Sequence, residues 1–297
     1  MKKNLRKLGF TQIILSGICF GFLGLFGKLA YQRNISPGEL LALRYLLSAI
    51  ITGALILFTS RKSFFSLSSF EIISSICLGI FGYALFSSLY FMALMRLSAS
   101  LTVLLLYTYP IMVTLFSRFF LHEKMGKLGV VALLLVSVGI VGLVWGEWSA
   151  SEPKYILAGL GSALFYALYI ILSRKYLSEV AAIPSSFYVQ LGAGIVLSII
   201  HFHGATHRPF EIIRDHYALI FSMSILCSLM AMTLFLAGLQ KIKSSEASIL
   251  SMTEPISGVL IASLFLHEKM QFIQIMGGVL ILFGMAIISL KKTSQDE

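Results

Sequence analysis

The chain has 297 residues, of which 58% are hydrophobic and 12% are charged, and its mean hydropathy is +0.90. Soluble domains carry about 25% charged residues and about 45 to 50% apolar ones, so this composition excludes a soluble globular protein. The net charge of +10 would suit nucleic-acid binding in a soluble protein. Here the basic residues lie mostly in short segments between apolar runs, which indicates membrane topology and no nucleic-acid partner.

The N-terminus resembles a signal peptide, because basic residues precede an apolar run. That run continues past Gly24 to Lys28 without a small-x-small cleavage site, and the residues before Cys19 do not fit a lipoprotein site. We therefore expect the first segment to remain as a transmembrane helix. Cys19, Cys77 and Cys227 all lie in apolar runs, which favours buried thiols over disulfides.

Apolar runs of about 20 residues, the length that crosses a hydrocarbon core of about 30 Å, follow one another along the chain. They predict an all-α, polytopic protein of the cytoplasmic (inner) membrane. Segments on the same side of the membrane as the N-terminus contain more than twice as many Lys and Arg residues as segments on the opposite side. This asymmetry predicts that both termini are cytoplasmic. The ten predicted spans are 10–30, 38–58, 71–94, 98–119, 127–146, 155–173, 184–202, 216–238, 244–266 and 271–290.

The chain contains an internal repeat. The sequence Phe120–Met125 recurs letter for letter as Phe265–Met270, 145 residues later, and the same offset carries Pro110 onto Pro255. Because each copy has an odd number of spans, the second must be inverted in the membrane. Inverted repeats place a binding site near the midplane and alternate its access by rocking. We therefore predict a transporter with a central cavity between two inverted five-helix repeats, residues 8–147 and 153–292.

These motifs resemble the ten-helix EamA-type members of the drug/metabolite transporter superfamily, and the similarity covers nearly the whole chain. It rests on Leu104–Pro110 in span four, Glu254-Pro255 in span nine, the Leu-His-Glu-Lys ends of both spans, and Arg44 in span two. The resemblance implies a membrane importer or exporter of small metabolites with a cavity lined by both halves. It does not indicate the substrate or the direction of transport.

Pro110 and Pro255 lie in the middle of their spans. Proline leaves the carbonyl four residues earlier without its helical partner, here Leu106 and Ser251. In a membrane such carbonyls are tolerated beside hydroxyls, neighbouring helices or water. The two prolines are therefore either gating kinks beside a cavity or simple packing kinks.

Glu254 lies about ten residues into its span, where an ionisable group is costly and usually faces a cavity or a partner. We expect it to pair with a cationic substrate group or to exchange a proton; the alternative is a neutral carboxyl that bonds between helices. For Arg44 we consider pairing with Glu39 or Glu254, binding a substrate carboxylate, and snorkelling to the interface. Lys28 is expected to snorkel.

Aromatic and hydroxyl side chains cluster on shared helix faces. Tyrosine combines an apolar body with a polar tip and suits a flat or amphiphilic substrate, although such residues also fill membrane-protein cores and interface belts. The predicted substrate-binding residues are Phe20, Arg44, Tyr83, Ser87, Tyr107, Tyr109, Tyr166, Tyr169, Ser251 and Glu254.

Small-residue spacing at Gly17/Gly21 and Gly142/Gly146 predicts close helix packing. It leaves open whether the protein is a monomer or a homodimer.

The sequence motifs typical of enzymes and ATP-driven pumps are incomplete or missing in this sequence. His122-Glu123 and His267-Glu268 lack the second histidine of a zinc protease motif, and no nucleotide-binding motif marks an ATP-driven pump. The histidines between spans seven and eight (His201, His203, His207 and His216) are expected in a solvated loop without a metal.

We therefore expect no catalytic activity, cofactor or metal. The predicted function is secondary transport of a small amphiphilic metabolite, such as an amino acid, a purine or a sulfonium-type nucleoside, with a coupling ion or counter-substrate as an open possibility. The alternatives are multidrug efflux and, from another class, a membrane enzyme or lipid-handling protein.

Overall fold

A computed structural model describes residues 2–59, 67–145, 153–203, 207–266 and 270–290. Within these ranges the chain is helical and contains no strand, which confirms the all-α prediction. The described residues include nine helices that are long and apolar enough to cross a membrane, and a shorter apolar helix, Lys127–Leu143, at the fifth predicted span. The protein is therefore a multi-pass membrane protein.

We number the helical spans α1 to α10 in chain order, and α1, α4 and α9 each consist of two helices in succession. Their bounds are Lys2–Gly21 and Leu23–Tyr31 (α1), Pro37–Thr59 (α2), Ser69–Leu94 (α3), Ala99–Leu106 and Tyr109–Phe120 (α4), Lys127–Leu143 (α5), Pro153–Tyr176 (α6), Ala182–His201 (α7), Arg208–Leu239 (α8), Ser244–Leu250 and Thr253–Leu266 (α9), and Phe272–Leu290 (α10).

The start of α8 differs from the prediction, because the helix begins at Arg208 instead of residue 216. Pro209 suits the first turn of a helix, and Ile212 is buried against the core, so this segment folds as a helix. The expected loop is thus mostly helical: His201 ends α7, and His216 lies at a kink inside α8. In the described ranges, no group of three or more His, Cys, Asp or Glu side chains is placed to hold a metal.

Irregularities recur at matching positions of the two halves. The break in α4 precedes Pro110 and the break in α9 precedes Pro255, since proline disrupts a continuous helix but fits the first turn of a new one. α3 and α8 each contain a π-helical segment, Leu78–Ala84 and Ser224–Met230. These segments correspond, to within one residue, under the same offset as the sequence repeat.

Glycines bring two pairs of helices into close contact. In the pair α5 and α10, a β-carbon added to Gly277 would lie 2.3 Å from the backbone nitrogen of Leu143 and 2.5 Å from the carbonyl oxygen of Gly139. In the pair α1 and α9, a β-carbon on Gly17 would lie 2.9 Å from Cβ of Thr253. The same added β-carbon would lie 3.0 Å from the backbone nitrogen of Glu254. Gly146, the partner of Gly142 in the predicted spacing, is outside the described residues.

Candidate substrate cavity

A cavity of about 580 Å³ lies between helices of both halves. Small-molecule sites in proteins occupy about 300 to 1,000 Å³, so the space accommodates a small metabolite. Its lining includes exposed Lys28 and Tyr31 at the end of α1, whereas Tyr109 at its base is fully buried. The cavity therefore opens at the membrane face where α1 ends and is closed toward the face where α1 begins.

The structure brings most of the predicted binding residues to this cavity. Pro255 also lines it, together with Phe20, Arg44, Tyr83, Ser87, Tyr107, Tyr109, Tyr166 and Glu254. Three predicted residues, Tyr169, Ser251 and Pro110, are not among the described residues that line the cavity. The Tyr169 ring packs behind Tyr83 with 4.6 Å between ring centroids, and the Ser251 hydroxyl donates to the carbonyl of Ala247 at 2.8 Å.

Arg44 is held inside the protein, with 3% of its surface exposed. Its Nη2 donates to the hydroxyl of Tyr45, and its Cζ lies 4.4 Å from the centroid of that ring. Glu39 does not pair with Arg44, because its Oε1 lies 3.0 Å from Nε of Arg208. Within the described part of the chain, the buried Nε of Arg44 has no hydrogen-bond partner. The guanidinium at the cavity wall therefore retains a donor.

Glu254 lies in the first turn of the second helix of α9, where the positive end of the helix dipole favours an acidic side chain. Its N–H donates to the carbonyl of Ser251 at 2.9 Å, and its side chain lines the cavity. As far as the structure describes the chain, no protein group donates a hydrogen bond to this carboxyl, and Glu254 forms no ion pair with Arg44. A carboxyl and a guanidinium group thus line one cavity without forming an ion pair.

Aromatic rings pack against one another beneath these groups. The Tyr83 ring lies edge-on to Tyr45, Tyr166 and Phe86, with centroid separations of 5.8, 6.2 and 5.4 Å. Such geometries are favourable for aromatic pairs, and Tyr109 packs on Tyr166 in the same way at 4.7 Å.

Sequence reasoning missed several residues at this site. Phe86 and Gln274 line the cavity, and Tyr45 positions Arg44 from behind. The sequence signal that could have identified Tyr45 is its position directly after Arg44.

The closed face is sealed by polar contacts between helix ends. Oε2 of Glu123 accepts the N–H of Ser244 at 2.9 Å, and Oε1 lies 3.7 Å from Nε of Arg174. Nη1 of Arg174 in turn donates to the carbonyls of Leu239 and Gln240 at 2.9 and 2.7 Å. These contacts join the end of α4 to α6 and to the turn between α8 and α9.

A second connection on the same face joins α1 to α9 and α10. Nη2 of Arg6 lies 3.1 Å from Oε1 of Glu246 and donates to the carbonyl of Ile288 at 3.2 Å. The face at which α1 begins is thus crossed by charged contacts, whereas the exposed lining residues Lys28 and Tyr31 lie toward the opposite face.

The chain is similar, over most of its length, to a transporter family and to proteins named as transporters. The model of the EamA-like transporter family matches residues 7–145 and again 153–290. The uncharacterized transporters YcbK and YetK of Bacillus subtilis (strain 168) are 25% and 22% identical to it, over 91% of this chain in each case and 88% and 83% of their own lengths.

Two further similarities cover almost the entire chain. The uncharacterized inner membrane transporter YicL of Salmonella typhimurium is 20% identical over 95% of both chains. A crystal structure that is 20% identical shares the fold with a TM-score of 0.77 over 97% of both chains. The two family matches together cover nearly all of the sequence, and the protein belongs to the EamA-like transporter family.

Proposed function

We propose that the protein is a secondary transporter that moves a small amphiphilic metabolite across the cytoplasmic membrane by alternating access. The observation that carries the proposal is a cavity between the halves that opens at one membrane face and is closed by charged contacts at the other. Residues 8–147 and 153–292 would be the two inverted repeats that rock against each other. A coupling ion or a counter-substrate would supply the driving force.

Among the proposed substrates, which also include purines and sulfonium-type nucleosides, the carboxyl and guanidinium groups of the lining favour an amino acid. Its carboxylate would bind the guanidinium of Arg44, and its ammonium group would bind Glu254. Charge-assisted hydrogen bonds of this kind are stronger than neutral ones. The aromatic base around Tyr83 and Tyr166 would hold an apolar side chain. In this proposal the remaining predicted residues, Ser251 and Tyr169, support the lining from behind.

The transport proposal is tested with purified protein in proteoliposomes. Vesicles loaded with single unlabelled amino acids, purines or nucleosides should accumulate the same labelled compound by counterflow, at least tenfold faster than protein-free vesicles. Stimulation only by organic cations of diverse structure would support multidrug efflux instead. Movement of fluorescent phospholipids between leaflets without any counterflow would contradict secondary transport and support lipid handling.

The proposed orientation, with both termini in the cytoplasm, makes the observed cavity face outward. We expect an impermeant maleimide applied to intact cells to label Lys269→Cys and not Lys124→Cys, in a background without native cysteines. Lys124 follows α4 on the closed face, whereas Lys269 is outside the described residues. The reverse labelling pattern would show that the termini are external.

A further inference from the structure

The repeated Leu-His-Glu-Lys motif places Glu123 at the closed face. α4 ends at Phe120, and His122 then adopts a left-handed backbone conformation with φ of 54°. The N–H of Glu123 returns to the carbonyl of Ser117 at 3.0 Å. This reversal turns the side chain away from its own helix and toward α6 and α9.

Glu123 is the point at which three parts of the chain meet. Its carboxylate accepts from the backbone of Ser244, at the start of α9, and faces the guanidinium of Arg174, at the end of α6. Nζ of Lys243 also donates to the carbonyl of Lys124 at 3.1 Å, directly beside it. The first half of the chain is thus fastened to the second half at two adjacent residues.

These contacts can exist only while this face is closed. Opening it to the cavity requires the end of α4 to separate from α6 and α9, because the contacts among them close this face of the protein. Separation would return the carboxylate to water and would free the N–H of Ser244 and the guanidinium of Arg174. The contacts therefore favour one conformation of the transporter over the other, as differential contacts must in any two-state change.

We propose that Glu123 is a latch that holds the N-terminal face of the transporter closed, through Ser244 and Arg174. The inference rests on the alternating-access function proposed above. It assigns a conformational role to the Leu-His-Glu-Lys motif that follows α4 and lies outside the substrate cavity.

The latch is tested by the accessibility of Ser251→Cys, in a background where the native cysteines are alanine. Ser251 is buried on α9, between the cavity residue Glu254 and the N-terminal face. We expect Glu123→Ala to raise its labelling rate by an impermeant maleimide, applied from the N-terminal face of oriented vesicles, about tenfold. Glu179→Ala is the matched control, because this exposed glutamate lies on the same face after α6.

Further variants keep the test decisive if Glu123→Ala does not fold. Glu123→Gln retains an acceptor for Ser244 but loses the charge, so it should give a smaller rise, and Arg174→Gln should give a rise as well. A parent-like labelling rate in folded Glu123→Ala and Arg174→Gln proteins would overturn the latch.

The labelling experiment needs no substrate, so it separates the two proposals. Faster labelling of Glu123→Ala in a protein that shows no counterflow with any compound would leave the latch standing and remove the transport proposal. Counterflow together with unchanged labelling would support the transport proposal and overturn the latch.

Discussion

Replacing Glu254 by glutamine is expected to lower the transport rate at least tenfold while the protein remains folded. Glutamine preserves the size of the side chain and removes its negative charge. A hydrogen bond to a charged group contributes about 1.5 to 3 kcal/mol, and each 1.4 kcal/mol corresponds to a factor of about ten. The measurement is initial counterflow of the best compound from the panel, at several pH values between about 5 and 8.

Glu179→Gln is the matched control, since it removes the same charge from an exposed residue away from the cavity. We expect parent-like transport from it. If Glu254→Gln transported at the parent rate at every pH, Glu254 would neither pair with the substrate nor exchange a proton. The remaining interpretation would be a carboxyl that serves helix packing alone.

Replacing Gly277 by leucine is expected to destabilise the protein more than any cavity substitution. An added β-carbon would lie within 2.7 Å of three backbone atoms, in Leu143, Gly139 and Gly142. Backbone cannot move aside as a flexible side chain can, so α10 must separate from α5. Overpacking of a core costs about 1 to 3 kcal/mol and sometimes more. We expect the apparent melting temperature in detergent to fall by roughly 5 °C or more.

The control for this prediction is Gly27→Leu. A β-carbon at Gly27 meets no atom within 4 Å, so the apparent melting temperature should stay near that of the parent. Both variants are measured by size-exclusion chromatography after heating. Equal stability of the two variants would show that the contact between α5 and α10 can widen at little cost.

The helical spans follow from sequence because the apolar length that crosses a bilayer is a local property. The repeat likewise located the breaks before Pro110 and Pro255. The periodicity of one span does not show which other spans pack against it. The pairings of Glu39 with Arg208 and of Glu123 with Ser244 depend on how the spans pack. For the same reason the sequence could not separate the lining residue Tyr166 from Tyr169, which lies behind Tyr83.

The start of α8 was missed for a different reason. Its first residues include several charges, so they do not form part of an apolar run. They nevertheless fold as a helix, because Ile212 packs against residues of α1 and α2. Hydropathy identifies the membrane-embedded part of a helix and leaves its extension beyond the bilayer undetected.

The paired π-helical segments also bear on the history of the gene. A π-turn holds an extra residue within a helix, and both halves carry one at nearly the same repeat position. Two independent insertions at matching sites are less economical than one insertion followed by duplication. On that account the π-helical segment would already have been present in a five-helix ancestor. A five-helix chain would place its two termini on opposite sides of the membrane. Two copies of such an ancestor, inserted in opposite orientations, would have been needed to form a cavity like the one between the two halves of this chain.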